Sequence, residues 1–137
     1  MKNVQKIVEP VVAVVGSRSV RDKGAAGRLA AHLAALRPAL VVSGGATGAD
    51  ELAAAWARAH GVALLELRPD YATHGAGATH QRNRDIAARA DVVVLLWDGV
   101  SQGTLSTARA AARLGRPCHW LLHGPPAATP LPGGLGL

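Results

Sequence analysis

Two short uninterrupted apolar runs, Val11-Val12-Ala13-Val14-Val15 and Val92-Val93-Val94-Leu95-Leu96-Trp97, constrain this chain more than any other feature. Neither has the length of a helix, and neither alternates with polar residues, so both read as strands buried on two faces. Such strands need helices on both sides, and the intervening sequence supplies them. Residues 25–36 place Leu29, Leu33 and Leu36 at helical spacing before Pro38. A helix after residue 48 carries Leu52, Ala55, Trp56 and Ala59 on its expected inner face and stops at Gly61. Residues 81–90 and an alanine-rich segment ending at Leu114-Gly115 complete the set. With further strands at 40–42, 62–67 and 118–122, strand and helix alternate throughout. The expectation is an α/β, three-layer, doubly wound, mainly parallel sheet of about five strands.

At 137 residues the chain has room for one domain with a proper core. That domain is expected at 11–123, after a polar extension at 1–10 and before a disordered Pro/Gly tail at 124–137 that holds Pro125, Pro126, Pro130 and Pro132. No apolar run reaches the roughly 20 residues that span a bilayer, and the N-terminus lacks a signal-peptide core, so a cytoplasmic protein with no membrane partner is expected. The lone Cys118 cannot close an internal disulfide and reads as structural.

Ligands of a doubly wound sheet bind beyond the carboxyl ends of the strands. Three loops there combine glycine with a small hydroxyl: Gly16-Ser17-Arg18, Ser43-Gly44-Gly45-Ala46-Thr47-Gly48, and Gly99-Val100-Ser101-Gln102-Gly103-Thr104. Free amides at a helix N-terminus and hydroxyls are groups that hold phosphate or ribose oxygens. The second loop is neither a dinucleotide fingerprint, since Ser43 stands where the first glycine belongs, nor a Walker loop, since no lysine lies near Gly48. Residues 68–77 form the longest expected loop, a candidate lid. Arg82, beside Asn83 at the start of the next helix, is the candidate phosphate clamp, against the alternative of a solvated first turn. Asp98 and Asp50 are the candidate acids, although Asp50 also suits a helix cap. Trp97 reads as core or as one wall of a base pocket. The histidines, His74 and His80 included, show no metal spacing, and no metal site is expected.

Lysine and arginine number 15 against 9 acids, a formal net charge of +6. That balance suits a nucleotide or nucleic-acid partner, but four aromatic residues leave little for base stacking along a strand.

Taken together, Gly16-Ser17-Arg18, Ser43 to Asp50 with Leu52 and Trp56, Arg82-Asn83, and Trp97-Asp98-Gly99 followed by Ser101-Gln102-Gly103-Thr104 resemble the YspA-like group of the SLOG superfamily over residues 11–122. The resemblance implies a Rossmann-like fold, a nucleotide or nucleotide-derived ligand such as AMP or ADP-ribose, and a homodimer. The superfamily includes the LONELY GUY phosphoribohydrolases and the DNA-processing proteins. The former carry P-G-G-x-G-T-x-x-E; Gly103-Thr104 match it, but the proline-glycine-glycine portion is missing and Thr107 takes the place of the glutamate that serves N-glycosidic cleavage. A nucleotide-binding sensor or accessory domain is therefore the leading expectation. An N-glycosidic hydrolase using Asp98 or Asp50 is the alternative, and single-stranded nucleic-acid binding is the third.

Overall fold

The computed structural model describes residues 9–127. Five strands, β1 (Val11–Gly16), β2 (Leu40–Ser43), β3 (Ala63–Glu66), β4 (Val92–Leu96) and β5 (Cys118–Trp120), form one sheet in the order β3-β2-β1-β4-β5. All four pairings are parallel, β1 matching Val12 to Val41 of β2 and to Val92 of β4. Helices α1 (Lys23–Leu36) and α2 (Ala49–Ala59) cover one face; α4 (Ala78–Arg89) and α5 (Gln102–Arg113) cover the other. The expected three-layer α/β arrangement is what the chain adopts.

The unbroken apolar runs follow from those two covers. Val12 and Val14 of β1 pack with Leu29 and Leu33 of α1 and with Ala49, Ala53 and Ala57 of α2. Ala13 and Val15 point the other way, toward Ile86 and Ala87 of α4 and Ala108 and Ala111 of α5. Neither set meets water, so neither tolerates a polar residue; each buried valine or leucine contributes about 1.5–3 kcal/mol.

Four expectations are corrected. The buried face of α2 is Ala49, Asp50, Ala53, Ala54 and Ala57, with Leu52 and Trp56 half-buried on its flank and Ala55 and Ala59 exposed. The helix lies too close to the sheet for a large side chain between them. Residues 68–77 are not one long loop: a short helix α3 (Tyr71–His74), capped by Asp70, runs through a 3-10 turn (Gly75–Gly77) into α4. Consequently α4 starts at Ala78 rather than at 81. The edge strands β3 and β5 are shorter than the apolar runs that contain them, ending at Glu66 and Trp120. Residues 9–10 and 124–127 carry no helix or strand. The rest of the expected extension and tail, 1–8 and 128–137, lies outside the described residues.

Chain order reverses direction at β1, which continues outward through β2 on one side and adjoins β4 on the other. A crevice opens beyond the carboxyl ends of β1 and β4 in such a sheet.

Candidate functional site

A cavity of about 490 Å³ occupies that crevice, within the range of small-molecule sites. Its floor is the end of β1, Val15 and Gly16, followed by Ser17, Arg18 and Ser19. Gly16 is required by crowding: a Cβ there would lie 2.5 Å from the Leu96 carbonyl oxygen and 2.6 Å from Ala49 Cβ. Ser17 is buried, and its hydroxyl accepts a hydrogen bond from the Asp98 amide at 3.0 Å, tying the loops after β1 and β4 together.

The wall from α2 is closed by the chain's own acids. Asp50, 6% exposed, folds its carboxylate back so that Oδ2 accepts the amides of Gly44 (3.2 Å) and Ala46 (3.0 Å). The Gly48 amide donates to Glu51 Oε1 and the Ala49 amide to the Ser17 carbonyl. The phosphate-shaped hole expected in this turn is thus filled by resident carboxylates, and Asp50 serves the loop rather than capping the helix. Burial pushes the Asp50 pKa up against the pull of the two amides and Arg82.

Arg82 is half-buried and lines the cavity, yet its guanidinium is largely committed. Nη1 donates to the carbonyls of Gly44 (3.0 Å) and Leu67 (3.2 Å), and Nε to Asn83 Oδ1 (2.9 Å). Arg82 therefore braces the loops after β2 and β3 instead of standing free in a solvated turn. Burial draws its pKa down, and the nearby Asp50 draws it up.

The wall from α5 is open. Ser101 precedes the helix without a side-chain cap, and the first turn holds no acid. Asp98 Oδ1 accepts the amides of Val100 (2.9 Å) and Ser101 (2.8 Å), which precede the helix, and Oδ2 accepts Ser19 Oγ. These bonds, the two amides foremost, hold Asp98 below the usual carboxylate range. Ser101, Gly103, Thr104 and Thr107 line the cavity along this wall. Trp97 is not a base wall: it is 6% exposed, stacks edge-on against Trp120, and its indole N–H donates to the Ser101 carbonyl at 3.0 Å, fixing the start of α5.

Of the residues picked from sequence, Gly16, Ser17, Arg18, Gly44, Asp50, Arg82, Asn83, Asp98, Ser101, Gly103 and Thr104 meet at this cavity. Five do not line it. Ser43 is sealed at the end of β2 with its hydroxyl unpartnered. Gly45 is covered by Arg68, whose Nη1 donates to its carbonyl at 3.0 Å. Thr47 faces solvent. Gly48, at φ 75°, is pressed against the Ser17 and Arg18 carbonyls, and Gly99, at φ 95°, sits beside the His123 ring. Sequence reasoning missed Thr79 and Ile86 of α4. With Arg82 and Asn83 they form an i, i+3, i+4, i+7 stripe that was readable once the helix began at 78. His80, set apart as a non-ligand, contacts Ser106 Oγ through Nδ1 at 3.1 Å.

Known proteins share this fold. A family model described as the YspA, cpYpsA-related SLOG family matches residues 10–74. No curated protein matches the chain. Among solved structures, the protein TM1055 is 26% identical with a TM-score of 0.61, over 79% of this chain and 71% of its own. DNA processing protein A of Helicobacter pylori, described for its single-stranded DNA binding mode, is 27% identical with a TM-score of 0.63, over 80% of this chain and 64% of its own. DNA processing protein A of Streptococcus pneumoniae shares the fold at 23% identity and a TM-score of 0.68, over 82% and 50%. The chain thus spans under two thirds of the length of both DNA processing proteins. No described helix is long and apolar enough to cross a membrane.

Proposed function

We propose, from the match of residues 10–74 to the YspA, cpYpsA-related SLOG family and from the cavity, that the chain binds a nucleotide or nucleotide derivative, AMP or ADP-ribose in kind, with a phosphate on the N-terminus of α5. One observation carries the reading. Of the two glycine-bearing turns at the cavity, the one entering α2 has Asp50 and Glu51 in the first helical turn, both folded back on the loop amides, while the first turn of α5 holds no acid and the Asp98 carboxylate before it engages only the Val100 and Ser101 amides ahead of the helix. An uncapped helix start beside a cavity attracts an anion through its free amides and its dipole. Binding is favoured over N-glycosidic hydrolysis because Thr107 lines the cavity where the phosphoribohydrolases carry glutamate, and Asp98 has both carboxylate oxygens engaged.

A built-in competitor tests this reading. A Cβ on Gly103 meets nothing within 4 Å, so Gly103→Asp fits sterically and puts a carboxylate where the phosphate is proposed. Calorimetry with AMP and ADP-ribose should show binding to wild type and at least a roughly ten-fold loss in the variant. Its melting temperature should hold or rise, because an acid in the first turn suits the helix dipole. Equal binding by both proteins, or no binding by wild type, defeats the proposal.

A second reading has support of its own. The Helicobacter pylori protein is described for single-stranded DNA binding, and here Arg18 lines the cavity while Arg68 covers Gly45 nearby. A salt-dependent gel shift with single-stranded DNA in the absence of AMP binding would favour it.

A further inference from the structure

We propose that the free carboxylate oxygen of Asp50 reads the sugar hydroxyls of the bound nucleotide, so that the pocket takes ribonucleotides in preference to 2′-deoxyribonucleotides. The inference rests on the nucleotide reading above and assigns the polarity of the ligand within the cavity.

The two oxygens of Asp50 differ. Oδ2 is committed to the amides of Gly44 and Ala46. Oδ1 accepts no hydrogen bond among the described residues, although the residue is only 6% exposed and lines the cavity. It is not sealed off either. Among the described residues the one buried side-chain polar atom without a partner is Ser43 Oγ, which lies outside the cavity lining. Oδ1 is therefore reached from the cavity. A mostly buried carboxylate oxygen with unused lone pairs at a cavity wall offers an acceptor to a hydrogen-bond donor of a ligand.

Charge fixes which part of the ligand that is. A phosphate beside Asp50 would meet a carboxylate in a low-dielectric pocket, and the Gly44 and Ala46 amides nearest to it already donate to Asp50 itself. At the other wall the first turn of α5 holds no acid, and Asp98 ahead of it has both oxygens engaged, by the Val100 and Ser101 amides and by Ser19 Oγ, whereas Asp50 keeps one oxygen unused. The anionic end goes to α5 and a neutral donor faces Asp50. In a nucleoside 5′-monophosphate the ribose diol supplies two adjacent hydroxyl donors.

The test compares AMP with 2′-deoxy-AMP on wild type and Asp50→Asn by calorimetry. The asparagine oxygen can accept the same two amides, so the loop is kept while the charged acceptor is removed; a melting curve checks this. Wild type should prefer AMP by roughly ten-fold or more, and Asp50→Asn should narrow that preference to within about three-fold. Equal binding of the two nucleotides by wild type, or an undiminished preference in Asp50→Asn, overturns the sugar assignment while leaving the nucleotide reading intact. Wild type that binds neither overturns both. If Asp50→Asn fails to fold, the wild-type preference still decides: its absence refutes the assignment, and its presence together with competition by ribose 5-phosphate but not 2-deoxyribose 5-phosphate supports it.

Discussion

Replacing Asp50 by alanine should cost far more stability than replacing it by asparagine, and the difference measures how much of the turn after β2 depends on one side-chain acceptor. Alanine leaves the amides of Gly44 and Ala46 without an acceptor and removes the nearby opposite charge of a half-buried Arg82. Hydrogen bonds to charged groups contribute about 1.5–3 kcal/mol each, but relief of the buried carboxylate's desolvation offsets part of the sum, leaving a loss of about 2–4 kcal/mol. Asparagine keeps an acceptor for both amides and removes the buried charge, so its cost should stay within about 1 kcal/mol. For a chain of this size the Ala–Asn gap, about 1–4 kcal/mol, corresponds to roughly 3–14 °C in Tm. Urea and thermal unfolding followed by tryptophan fluorescence would read it.

The pH dependence carries a sign. The folded protein holds the Asp50 proton more tightly than the unfolded chain, because burial raises its pKa above the ordinary 3.8. Its contribution is then fully present below 3.8 and is lost as pH rises through the raised folded value. The stability of wild type relative to Asp50→Asn should therefore fall as pH rises through that window. Alanine and asparagine variants of equal stability, or a wild-type advantage that grows with pH, would refute the reasoning.

Three other outcomes follow from the same geometry. Gly48→Ala should cost about 3 kcal/mol or more in a thermal melt, since φ is 75° and the new Cβ meets the Ser17 and Arg18 carbonyls, whereas Gly27→Ala, in helix α1 with open space around it, should gain about 0.5–1 kcal/mol. Arg82→Lys cannot reproduce the guanidinium's bonds to Gly44, Leu67 and Asn83 together and should lose about 1–2 kcal/mol by urea titration; an unchanged midpoint would mean the brace is idle. Cys118 is half-buried, with its thiol pKa raised by burial, so alkylation by iodoacetamide at pH 8 should be slow in the native protein and fast in urea, and equal rates would count against this placement.

The strands β1 and β4 were legible because both of their faces are covered, which leaves one sequence solution, an unbroken apolar run. The edges were not, because β3 and β5 are half-buried and their apolar residues continue past the last paired position. Helix α2 misled for a related reason. Leu52 and Trp56 have the spacing of an inner face, but contact as close as that between Ala49 Cβ and the Cβ position of Gly16 favours alanines against the sheet and puts the large residues on the flank. In the segment 71–77, Gly75 and Gly77 read as loop, while the cap that makes Tyr71–His74 helical is the Asp70 bond to the Thr73 amide, a local competition that composition does not report.

The site itself turns on a distinction that the glycines alone cannot make. Both turns contain glycine and a small hydroxyl, and both lead into a helix at the carboxyl edge of the sheet. They differ in the first helical turn, where Asp50 and Glu51 follow Gly48 but Gln102, Gly103 and Thr104 follow Ser101. Asp50 and Glu51 turn back on the loop and take the Gly44, Ala46 and Gly48 amides, whereas at α5 the acid, Asp98, stands before the helix and takes the Val100 and Ser101 amides, leaving the first helical turn without a carboxylate. Glycine thus makes an anion site geometrically available, and the charge of the next three residues decides whether the chain or a ligand fills it. On the proposed reading, the same residues that close the α2 turn to phosphate place a carboxylate across from the start of α5, and the ligand would carry an anion at one end and hydroxyl donors at the other.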